Sequence, residues 1–74
     1  MTNGRDYEKP AAYLIRIRGG LDPSWSDWFN GFTITYLEGE TTLIGSVPDQ
    51  AALHGVLTKI NDLGLALISV TQQP

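Results

Sequence analysis

His54 is the only histidine in this sequence, and its ordinary pKa near neutrality makes it the first candidate for moving a proton. A general acid or base needs a partner, and Asp22, Asp27 or a substrate group could serve. Trp25, Trp28 and Phe29 recur at i, i+3 and i+4, which would line up three rings that could wall a flat ligand. The segment from Pro48 to Gln50 opens a helix, where free backbone N–H groups can meet an anion beside Asp49. Trp25, His54 and Asp49 are therefore the candidate ligand-binding residues. The plainer reading makes His54 a boundary residue beside an apolar helix stripe and the aromatic rings part of the core.

Other chemistry finds less to stand on. There is no cysteine, so a thiolate metal site is impossible, and one histidine makes a poor one. No GxxxxGK[ST] or GxGxxG pattern is present, so no phosphate-binding loop is expected. Ser24, Ser26, Ser46 and Ser69 lack an accompanying His–Asp arrangement. Glu38 and Glu40 flank a turn and read as solubilising. No cofactor and no metal is expected.

Two further sets point to surfaces. Arg16 and Arg18 alternate onto one strand face, where they could meet an anion, an RNA or a neighbouring subunit. The aromatic residues that an RNA-binding sheet would stack on, Tyr13, Phe32 and Tyr36, fall instead on the faces expected to form the core. Gly55 interrupts a helix at a cost of roughly 1 kcal/mol against alanine. With Ala51 one turn earlier it makes a small-residue patch. Arg16, Arg18, Ala51 and Gly55 are the candidate interface residues.

The elements that must carry these residues follow from periodicity. Ala11 to Arg18 alternates as a strand and stops at Gly19-Gly20. Asp22 suits an N-cap and Pro23 a first helical position, so a helix of roughly two turns is expected up to Asn30-Gly31. It is too short to stand alone and must dock its aromatic face. Trp28 and Phe29, nearest Gly31, are expected to pack on the next strand, and Trp25 to reach the surface. Phe32 to Glu38 is a second strand, and Glu38-Gly39-Glu40 is a turn. Thr41 to Val47 is a third strand, in which Gly45 marks a bulge or the close approach of another chain. Leu53, Val56, Leu57 and Ile60 form the stripe of a helix running from Pro48 or Asp49 to about Leu63, and Gly64 ends it. Leu65 to Thr71 is a fourth strand, with Ala66, Ile68 and Val70 on one face. Residues 1–10 read as a flexible polar lead, and residues 11–74 as one domain.

This order matches an α+β, ferredoxin-like βαββαβ plan with a short first helix, in which helices cover one face of a four-stranded antiparallel sheet. The other face is left half apolar. With 74 residues and no cysteine to cross-link them, the chain is near the lower size limit for an independent core, and self-association would add stability. A net charge of −3 gives no general attraction for nucleic acid. No apolar run is long enough to span a bilayer, and a polar start without a signal-peptide core leads to a cytoplasmic expectation.

The run Gly45-Ser46-Val47-Pro48-Asp49-Gln50-Ala51-Ala52-Leu53-His54-Gly55-Val56-Leu57, continued through Ile60-Asn61-Asp62-Leu63-Gly64-Leu65 to Leu67-Ile68-Ser69-Val70, resembles a family of small bacterial proteins. They share a DQAALHG-L…DLGL-L-SV signature and have no assigned chemistry. The segment Trp25 to Phe29 is also similar to theirs. The resemblance implies a bacterial, soluble, stand-alone domain and implies no activity. The leading expectation is a non-enzymatic module that binds itself, as a homodimer or higher oligomer, and through that a protein or small-molecule partner. The first alternative is a small-molecule-sensing domain resembling the ACT group, with ligand near Gly19–Pro23 and Pro48–Gln50. The second is a cofactor-free enzyme resembling ferredoxin-like monooxygenases, with His54 beside the tryptophans.

Overall fold

The computed structural model describes residues 10–29 and 31–73, so the expected N-terminal lead lies, apart from Pro10, outside the described residues. In chain order the elements are β1 (Ala11–Arg18), a 3-10 helix (Pro23–Phe29), β2 (Thr33–Leu37), β3 (Glu40–Val47), α1 (Gln50–Asp62) and β4 (Ala66–Gln73). The strands form one antiparallel sheet in the order β2-β3-β1-β4. The fold is therefore α+β with an open four-stranded sheet. None of its described helices is long and apolar enough to cross a membrane.

Alternation along the strands divides the sheet into two unlike faces. On one face lie Tyr13, Ile15, Ile17, Ile34, Leu43 and Val47, all buried. Phe29 from the 3-10 helix and Leu53, Val56 and Ile60 from α1 complete the same core. Both helical connections thus cover one side of the sheet. Leu57, expected in the α1 stripe, is half-buried at its edge.

Local chemistry sets the helix ends. Asp49 is the N-cap of α1, and its carboxylate accepts the Ala52 N–H at 2.8 Å. At the other end the Leu65 N–H donates to the Ile60 carbonyl and the Gly64 N–H to that of Asn61, with Gly64 at φ +74. That pair of bonds is a Schellman ending, which requires the left-handed backbone glycine tolerates. Glu38 and Gly39 join β2 to β3 as a two-residue loop with both φ angles positive, 51° and 83°.

Three expectations about side chains are corrected. Tyr36 is not core: it lies near the hairpin end of β2, 53% exposed, with its ring resting against Gly20. Gly45 marks no bulge, because β3 keeps continuous register with β1 and β2. Its missing side chain makes room for the ring of Phe32, which lies 2.6 Å from where a Cβ would stand. The irregularity is in β4. Arg16 and Ile17 are consecutive on β1, yet pair with Ser69 and Leu67, which leaves Ile68 outside the ladder. The simple alternation expected for β4 breaks there.

Candidate functional site

The short helix places its rings differently from an α-helix. Asp22 accepts the Ser24 N–H at 2.8 Å through its carboxylate, and the Trp25 N–H at 3.0 Å through its carbonyl. The bond to the backbone N–H of Ser24, followed by the Ser24 side chain, holds the Asp22 carboxyl below its ordinary pKa. From Pro23 onward the turn is tight, with roughly 120° per residue in place of roughly 100°. Residues 25 and 28 then stack on one edge, and residue 29 rotates away. Trp25 and Trp28 accordingly face outward, 38% and 39% exposed, while Phe29 is fully buried. Trp28 is thus not the core ring it was expected to be, and Trp25 reaches the surface as expected.

The tryptophans meet edge to face with ring centroids 5.2 Å apart. Lys59 of α1 places its ammonium 5.3 Å from the Trp28 ring centroid and donates to the Trp28 carbonyl at 2.6 Å. The aromatic patch is therefore tied to α1 through a residue that periodicity alone did not single out. Ser26 ties the same helix to the residue that leads into β2, its hydroxyl donating to the Phe32 carbonyl at 2.6 Å.

His54 is exposed on α1, and among the described residues no hydrogen bond or salt bridge engages it. The Asp49 carboxylate is committed to its own helix start, so an incoming anion would meet a negative charge there. Among the described residues no group of three His, Asp or Glu side chains is placed to hold a metal. Every buried side-chain nitrogen or oxygen among them has a partner. The most buried polar group, Thr41, serves the fold: its hydroxyl donates to the Gly19 carbonyl and accepts the Leu21 N–H at 3.1 Å.

The open sheet face carries most of what remains. Register aligns its side chains in rows across the strands: Thr35, Thr42, Arg16 and Ser69 in one, Thr33, Ile44, Leu14 and Thr71 in the next. Arg18 shares a third row with Leu37, Glu40 and Ala66. Arg16 donates through Nε and Nη2 to Glu40 at 3.1 and 2.7 Å, which gives Glu40 a defined role on this face. Ile44 and Leu37 are exposed, at 45% and 70%. The surface is a mixed floor of hydroxyls, one ion pair and separated apolar groups. Ala51 and Gly55 lie on the outward side of α1, where a Cβ on Gly55 would meet open space. They stand on the opposite side of the molecule from Arg16 and Arg18, so the four candidate interface residues form two surfaces.

The arrangement joins no nucleophile to a base among the described residues. What it offers is surface: an aromatic patch, an open face and the outer edge of β4. That last feature escaped the reading of individual residues, although its signal, an unbroken uncharged run from Gly64 to Gln73, was present in the sequence.

The family described as "Domain of unknown function (DUF8691)" matches residues 12–71. No curated protein and no solved structure matches the chain.

Proposed function

We propose, from the premise that the chain belongs to the family described as "Domain of unknown function (DUF8691)", that it is a non-enzymatic, self-associating binding or assembly module. One observation carries this reading. Both helical connections cover the same face of the sheet, which leaves the other face and the outer edge of β4 uncovered among the described residues. An uncovered edge presents unpaired backbone N–H and C=O groups, which favour pairing with another chain. The strand order, read from the other edge as β4-β1-β3-β2, supports a ferredoxin-like plan whose first helix is reduced to 3-10 turns. A cytoplasmic setting and a homo-oligomeric state belong to the same proposal.

Sedimentation of the full chain across a dilution series tests it. An assembly at about 100 µM, roughly a hundred times a micromolar Kd, is the expected result. A monomer at that concentration overturns the reading.

A further inference from the structure

The two sheet edges are not equivalent. β2 is five residues long, is closed at one end by the hairpin, and at the other follows Phe32, whose carbonyl is bonded to the 3-10 helix. β4 is eight residues long and contains no charge, proline or glycine. Proteins usually blunt such an edge with lysine, proline, a bulge or a covering element. Here the bulge at Ile68 disturbs the first half of the strand only. From Ser69 to Gln73 the ladder with β1 is regular, and its outer side meets no other strand of the described residues.

We infer that this run pairs with the same run of a second copy, antiparallel across a two-fold axis at Thr71, and joins two sheets into one of eight strands. The inference rests on the self-association reading and names its site. Two arguments favour a second copy. A chain of net charge −3 meets its like with least repulsion where it carries no charge, and Ser69–Gln73 carries none. An antiparallel edge is also self-complementary, because a two-fold axis brings each donor to the matching acceptor of the partner.

The register follows from the pleat. Opposed residues share a face, so the axis passes through a residue position. Only an axis at Thr71 pairs the whole run, with Ser69 opposite Gln73, Val70 opposite Gln72 and Thr71 opposite itself. The opposed side chains are then mostly hydroxyls and amides, which suit cross-strand hydrogen bonding.

The absence of cysteine makes the test direct. Single variants Val70→Cys, Thr71→Cys and Gln72→Cys are oxidised in the full-length protein, with Thr35→Cys on β2 as control. Directly opposed residues lie about 4.5–5.5 Å apart between Cα atoms, within disulfide range, whereas positions displaced along the strand lie outside it. A covalent dimer from Thr71→Cys, severalfold above the other three, is expected. Thr71→Lys should also weaken association about tenfold by opposing two ammonium groups, with an unchanged far-ultraviolet spectrum. If the wild-type chain associates but Thr71→Cys cross-links no better than Thr35→Cys, the β4 site is overturned and self-association stands. The same holds if Val70→Cys or Gln72→Cys cross-links best. A monomeric wild-type chain overturns both.

Discussion

The two helical connections cross the same sheet face and solve the same problem with different geometry. In α1, roughly 100° per residue gathers Leu53, Val56 and Ile60 into one buried stripe, with Leu57 at its border. In the 3-10 helix, roughly 120° per residue turns Phe29 into the core while Trp28, in edge contact with it, and Trp25 stay partly exposed. One connection buries a face, and the other buries a single ring and displays two. Apolar spacing is therefore a statement about burial only once the helix type is known.

The comparison breaks first at Phe29. Phe29→Ala should cost about 3–5 kcal/mol in urea unfolding, the range for deleting a buried aromatic ring. Trp28→Ala should cost less, about 1–2 kcal/mol, since the ring is 39% exposed and loses less buried surface than Phe29, together with an edge contact and the Lys59 cation–π contact. Equal costs would place Trp28 in the core and restore the α-helical arrangement.

Capping sharpens the contrast. Asp49→Ala removes the acceptor for Ala52 and should cost about 0.5–2 kcal/mol. Thermal unfolding with no loss would show that α1 is held by packing alone. Gly55→Ala works in the opposite direction: the position is helical, exposed and open, so alanine should stabilise by up to about 1 kcal/mol. A destabilised Gly55→Ala that also dissociates would mean that the outer side of α1 is covered in solution.

The smallest effect belongs to Asp22. Its folded-state pKa is lowered, chiefly by the bond to the Ser24 N–H. The stabilisation is present above the ordinary aspartate pKa of about 4 and is lost as pH falls through the lowered value. Asp22→Asn should flatten that slight acid limb of the stability profile. A limb unchanged in the variant would assign it to other carboxylates.

Much of this architecture is legible in the sequence, because strong punctuation coincides with periodic segments. β1 ends at Arg18 before Gly19, Asp49 caps α1, and Gly64 closes it. What was not legible depends on distances between segments. Seven residues containing three aromatic rings do not distinguish 100° from 120° per step, because packing makes that choice. The break in β4 depends on how Arg16 and Ile17 meet Ser69 and Leu67, which alternation within one strand cannot register. Among the candidate site residues, surface exposure was anticipated for Trp25, and the separation of Ala51 and Gly55 from Arg16 and Arg18 needed the two-layer geometry.

The glycine at position 45 also ties two sites together as they diverge. The β2–β3 register, extended by one residue, sets Phe32 opposite Gly45, and the ring fills the space a side chain would need. A slip of the hairpin by two residues would drive that ring onto Leu43 or Val47, so the notch acts as a key for one pairing. Substitution at either position alone is penalised, and the two can drift only in concert. Family members that carry a side chain at the position of Gly45 should therefore carry a smaller residue at the position of Phe32.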